Sequence, residues 1–242
     1  MTFSVLTFDH KTGVFAGAAT TGSLCVGGWV LRGDIESGMV ASQGTSPSTF
    51  WRDNALREMN KEKSSKETIE KLTGGDSGRE KRQLAAIDKT GEPFGFTGAD
   101  SVPFSGHLVG EDYIIAGNML SNPSVLSAMG DCLNKSYSSE AEKMLAILQA
   151  GQRAGGDKRG IQSAAMLILD PEKPPLDLRV DYDENPIFAL EELWKRSQRP
   201  PYSSWLDEVP ILSDKNRSDM PQKNTCLLYT SPSPRDATLS RM

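Results

Sequence analysis

Cysteine is scarce in this chain, and the scarcity excludes a good deal. The three that occur, Cys25, Cys132 and Cys226, form no CxxC pair and no even set, and His10 and His107 stand at no ligand spacing from them. A disulfide framework or a zinc site needs more than that, so no metal is expected. Long apolar runs are also missing. Nothing approaches the roughly 18 consecutive apolar residues that a bilayer crossing requires, and the chain opens on an alternating segment rather than a basic and then apolar leader. The expected setting is cytoplasmic, with no membrane partner.

Positive charge is the minority sign: 27 Lys and Arg stand against 32 Asp and Glu, a formal net charge of −5. Neutralising a phosphate backbone takes clustered cations, which no segment here carries, so nucleic acid is not the expected partner. A P-loop and a GxGxxG behind a strand are both absent, and with them any sign of a cofactor. What remains is a small-molecule substrate. Self-association through a sheet or helix face is compatible with the pattern, and its order is left open.

The composition that is present, 37% hydrophobic and 24% charged with 22 glycines and 14 prolines, is that of a globular protein with room for one full core. One domain over residues 1–219 is expected. From Met220 the character changes, because "MPQKNTCLLYTSPSPRDATLSRM" has no amphipathic period. Its stretch from Cys226 to Asp236 looks like the translation of a sequencing-library adapter, so residues 220–242 are set outside fold reasoning as a disordered tail. Without them the remainder is more acidic still.

Along the chain, "FSVLTFD" alternates Phe3, Val5 and Thr7 against Ser4, Leu6 and Phe8, and "HKTG" turns it into "VFAGAATTG", a strand of small residues that another layer can approach closely. "CVGGWVL" and "GMVASQG" are read as two further strands. Ser46 or Ser48 caps a helix over 47–60 with Phe50, Leu56 and Met59 on its buried face, and a second helix spans 66–72 before Gly74 and Gly75. "RQLAAID" and "PFGFTG" pair across "KTGE", with "HLVG" and "YIIAGNML" continuing that sheet. Two helices follow, the second turning Met144, Leu145, Leu148 and Ala150 inward. "SAAMLILD" and "LDLRVDY" are strands joined by a Pro-rich loop, and Asn185 and Pro186 start a last helix. Strands in two blocks and helices in two blocks predict an α+β fold: a four-layer αββα sandwich of two antiparallel sheets.

The motifs "MTFSV", "GGDSGREKRQLAAID", "FTGAD", "AGNML" and "GGDKRGIQSAAMLIL", in that order over residues 2–213, resemble the DUF1028 family, which is assigned to the N-terminal-nucleophile (Ntn) hydrolases. The resemblance implies an Ntn-hydrolase-like fold and, by analogy, an amidohydrolase acting on a small amide or peptide-like substrate. Thr2 then becomes the nucleophile. Its side chain is small enough for methionine aminopeptidase to remove Met1, and the freed α-amino group, with a reference pKa of about 7.7–8.0, can accept the hydroxyl proton.

Supporting residues follow from the same resemblance. Asn118, at a strand end, is the candidate oxyanion donor, and Asp157 and Ser163 are the counterparts of groups that hold the terminal amine. Arg159 and Gln162 share their Gly-flanked segment. Arg79, Arg82 and Gln83 could clamp a substrate carboxylate or answer Glu80 and Asp76, and Gln43 could line the same pocket. Asn118 is equally an ordinary turn residue, and Asp157 with Arg159 equally a surface pair. One departure counts against catalysis. The Asp and Lys that assist proteasome-type threonines fall here on Ala18 and Asp34, no Lys occurs between Lys11 and Lys61, and Arg32 cannot act as a base. The rival reading is a non-catalytic ligand-binding or assembly protein on the same scaffold.

Overall fold

The computed structural model describes residues 2–218, so the segment set aside as a tail lies outside the described residues. Strand β1 (Thr2–Asp9) turns through residues 10–13 into β2 (Val14–Thr21). A short helix α1 (Val26–Trp29) leads to β3 (Leu31–Asp34) and β4 (Gly38–Gly44). Helices α2 (Thr49–Met59) and α3 (Ser65–Gly74) precede the pair β5 (Arg82–Asp88) and β6 (Pro93–Thr97). Then come β7 (Gly106–Val109), β8 (Tyr113–Asn118), α4 (Ser124–Leu133) and α5 (Glu140–Arg153). Strands β9 (Ser163–Asp170) and β10 (Lys173–Val180) and helices α6 (Pro186–Ser197) and α7 (Tyr202–Leu206) complete the order.

The strands form two antiparallel sheets, one of six in the order β10-β9-β2-β1-β8-β7 and one of four in the order β3-β4-β5-β6. Period-2 alternation decides which residues meet which layer. From β1 and β8, Phe3, Val5 and Ile115 pack with Met129, Met144 and Leu148 of α4 and α5. Leu6 and Ile114, one residue away in each strand, pack instead with Met39 and Ile87 of the small sheet. The outer face of that sheet, Val40, Leu84 and Ala86, is covered by Trp51, Ala55, Met59 and Ile69 of α2 and α3. The result is the αββα sandwich. Small residues on β2 bring the two sheets close: a Cβ built on Gly17 would lie 2.6 Å from Met39 Sδ and 3.0 Å from Leu6 Cδ2.

Four local readings are corrected, and one open alternative, the cap of α2, is decided. Residues 26–29 are helical, not strand, because Cys25 turns through a left-handed conformation and Gly27 must fit where a Cβ would meet Ala165 and Arg179. Strands β7 and β8 join β1 in the large sheet rather than extending the small one, since β8 pairs with β1 from Asn118 opposite Thr2 to Tyr113 opposite Thr7. Phe50 is 78% exposed, and Trp51, Arg52, Ala55 and Met59 form the buried face of α2. Ser48 is the cap, its hydroxyl accepting from Trp51 N at 3.2 Å. The prolines expected in a loop, Pro174 and Pro175, lie in β10, an edge strand whose register shifts between Lys173 and Leu176. An edge tolerates a missing N–H donor where a central strand does not.

Candidate functional site

The same alternation that sorts the core places a row of polar side chains at one end of the intersheet space. Register sets Asn118 of β8 opposite Thr2 of β1, Thr2 opposite Thr21 of β2, and Thr21 opposite Ser163 of β9. Leu6, Ile114, Ala19 and Ala165 lie an even number of residues along from them and face the small sheet, so these four face it too. The small sheet answers with Gln43 opposite Gln83. Asn118, Gln43, Gln83 and Ser163 are essentially inaccessible, and Thr2 is 8% exposed.

Buried polar groups need partners, and these largely supply one another. Ser4 Oγ donates to Gln43 Oε1 at 2.8 Å, and Gln43 Nε2 donates to Gln83 Oε1 at 3.1 Å and to the Thr2 carbonyl at 3.3 Å. Asn118 Nδ2 also donates to Gln83 Oε1, at 2.8 Å. Gln83 Nε2 lies against the carbonyls of Gly117 and Gly106, at 2.8 and 3.1 Å, and against Thr97 Oγ1 at 3.0 Å. Thr97 Oγ1 in turn meets His107 Nδ1 at 2.9 Å, and burial pushes the His107 pKa below its ordinary value. This network ties the two sheets together where apolar packing stops.

Above the row opens a cleft of about 640 Å³, whose lining includes Thr2, Thr21, Gln43 and Arg159 among polar residues and Leu24 and Trp29 among apolar ones. Thr2 Oγ1 lies 3.2 Å from Thr21 Oγ1. The segment from Ser23 to Trp29 is held down by its neighbours. Ser163 Oγ accepts from Val26 N and donates to the Ser23 carbonyl, while the buried Arg52 guanidinium takes the carbonyls of Gly28 and Trp29. Asp157, its carboxylate fully covered, accepts from Gly22 N and from the backbone and guanidinium of Arg159, whose side chain is 46% exposed. A Cβ on Gly22 would overlap that carboxylate, so the close approach requires glycine.

The residues singled out from the sequence therefore divide. Thr2, Gln43 and Arg159 reach the cleft, and Gln83, Asn118, Asp157 and Ser163 lie buried around it. The hydrogen bonds of Asp157 and Ser163 go to the backbone of residues 22–26 and to Arg159, so both anchor the cleft's wall. Gln162 contributes its backbone, donating to the Thr21 carbonyl. Arg79 pairs with Glu80 and Arg82 with Asp76, and Arg82 also stacks over Trp51 and bonds the Ser46 carbonyl. Neither belongs to the cleft lining, because local carboxylates have claimed both. Asn118 spends one of the two N–H donors of its amide on Gln83 Oε1. Thr21, Leu24 and Trp29 were not anticipated. Thr21 was legible through its hairpin register with Thr2, but the apolar pair was not, since only the turn at Cys25 brings it there.

An α+β sandwich whose first strand begins beneath an open cleft, with a hydroxyl at that strand's first residue, defines the class of protein. The chain matches the family of unknown function DUF1028 over residues 2–190, and it belongs to that family. It is also similar to a Silicibacter pomeroyi protein of the same family, known from a crystal structure: the two are 45% identical, with a TM-score of 0.85 over 90% of this chain and 98% of that one. No functionally curated protein matches. Among the described residues no helix is long and apolar enough to cross a membrane, and no group of three His, Cys, Asp or Glu side chains could hold a metal.

Proposed function

We propose that the protein is an Ntn-type amidohydrolase that cleaves a small amide or peptide-like substrate with Thr2 as its N-terminal nucleophile. The observation that carries this reading is the position of Thr2: first residue of a central strand, lining the cleft, with Oγ1 in contact with a second hydroxyl. After removal of Met1 the Thr2 amine, partly neutral near pH 8, takes the hydroxyl proton as Oγ1 bonds the substrate's carbonyl carbon. The amide C–N bond breaks, its nitrogen leaves with that proton, and water hydrolyses the resulting ester. Arg159, paired to Asp157 yet partly exposed on the cleft, is the lining cation that an anionic substrate group would meet. No lysine takes part, for Ala18 packs among the helix-facing residues and Asp34 bonds Ser37 at the far end of β3.

That missing lysine favours the rival reading, a ligand-binding or assembly protein on the same scaffold. Intact-mass spectrometry of untagged protein, before and after an acylating probe, separates the two. The hydrolase is expected to begin at Thr2 and gain one probe mass there. Thr2→Ala is expected to fold normally and to lose at least about a thousandfold in turnover against a panel of small amides. A Thr2→Ala protein as active as wild type would sink the proposal.

A further inference from the structure

We infer that Asn118 holds the α-amino group of Thr2 as a hydrogen-bond acceptor, through its side-chain Oδ1 and its backbone carbonyl together; this rests on the N-terminal-nucleophile reading. Asn118 Oδ1 is a fully buried oxygen with no hydrogen-bond partner. A buried acceptor left without a donor is costly, so its partner is to be looked for. The direction of the amide is not arbitrary. The carbonyls of Gly106 and Gly117 accept only, so Gln83 must turn its nitrogen to them and its oxygen to Asn118 and Gln43. Asn118 must then turn its own nitrogen to Gln83. Its oxygen is left facing elsewhere, on the side of β8 that carries it beside Thr2.

Strand register says what lies there. Phe8 N donates to Asp112 O at 2.9 Å, and Thr7 stands opposite Tyr113. In an antiparallel ladder hydrogen-bonded and non-bonded pairs alternate, so Leu6, Ser4 and Thr2 all direct their N–H toward β8. The Thr2 nitrogen therefore points at the Asn118 carbonyl, and directly opposed side chains have Cβ atoms about 4.5–5.5 Å apart. Once Met1 is gone the nitrogen carries further hydrogens. A neutral amine has two, and with one on each Asn118 oxygen its lone pair is left to turn to the Thr2 hydroxyl. Asn118 is thus a positioning residue for the base.

The amine's other polar surroundings are neutral hydroxyls and amides: Thr21 and Ser4 from the large sheet, Gln43 and Gln83 from the small one. Of the charged side chains at the cleft's walls, Asp157 and Arg159 pair with each other and Arg52 is held on the Gly28 and Trp29 carbonyls, while the titratable His107 reaches Gln83 only through Thr97. The test is the titration of the Thr2 amine in the intact untagged protein, by competitive acetylation with trace acetic anhydride at a series of pH values. Hydroxylamine removes esters before the amino-terminal peptide is read by mass. Acceptors favour the ammonium form, so Asn118→Ala should lower the midpoint by on the order of one pH unit, and Asn118→Asp should raise it above wild type. Should Asn118→Ala not fold, Asn118→Leu, which keeps the volume without the acceptor, carries the test with the same expected fall. A midpoint that stays at the wild-type value overturns the assignment, and an unmoved midpoint with lost turnover returns Asn118 to the oxyanion. A chain that keeps Met1 overturns the nucleophile reading as well, which the intact mass reports before any titration begins.

Discussion

Asp157 illustrates how much one side chain can organise at the residue scale. Its carboxylate is fully covered, yet it takes the Gly22 N–H at 2.6 Å and the Arg159 N–H at 2.7 Å as well as the Arg159 guanidinium. Through those bonds it sets where β2 ends and how the cleft's cation is held. Asp157→Asn keeps the volume but replaces one acceptor with a donor, so at least one of these buried N–H groups is left without a partner. The expected cost is about 1–3 kcal/mol, seen as a lower urea midpoint at unchanged m value. From sequence alone the residue was equally a surface pair with Arg159. The deciding fact is burial, which comes from residues 22 and 120, the latter bridging to Asp157 from beyond β8.

At the scale of elements, the sheets approach each other because β2 is built from Gly and Ala where it faces β4. Gly17 sits against Met39 and Leu6 with no room for a side chain. Gly17→Val is therefore expected to force the sheets apart or Met39 off its rotamer, costing about 1–3 kcal/mol, which thermal unfolding would report as a lowered Tm. A protein as stable as wild type would show that the intersheet space is looser than the contacts imply. The strands themselves were legible, since alternation and turn residues marked nearly all of them. Residues 26–29 were not, because two glycines and a tryptophan carry no period. Their helix depends on Ser163, Asp181 and Arg52, which accept or donate to its ends from distant parts of the chain.

Over the whole molecule, the polar network between the sheets makes stability depend on pH. His107 is half-buried and its pKa is lowered from 6.5 by desolvation. Below about pH 6.5 the unfolded chain takes up a proton that the native protein resists, so stability falls as the pH drops from 6.5 toward the lower folded value. Above 6.5 the group contributes no slope. His107→Gln should flatten the denaturation midpoint across that window. The carboxylates act in a separate one. Asp76 titrates below 3.8, burial notwithstanding, because Gly78 N–H and Arg82 favour its charged form. Its contribution is held above 3.8 and lost only as the pH falls further.

The order of strands and helices outside residues 26–34, the two faces of each central strand and the polar ends of β1, β4, β5 and β8 were determined by the sequence itself, because period-2 alternation is a local property of the chain. So was the candidacy of Thr2. Which sheet β7 and β8 would join, and which of the polar residues would face the cleft, were decided only by the tertiary structure. A one-dimensional pattern states that Asn118, Thr2, Thr21 and Ser163 each point to one side of their strand, but not that the four strands lie in register side by side. Nor does it orient an amide. The donor or acceptor role of Asn118 is set by Gln83, and that of Gln83 by two glycine carbonyls on β7 and β8, through contacts that exist only when both sheets are packed.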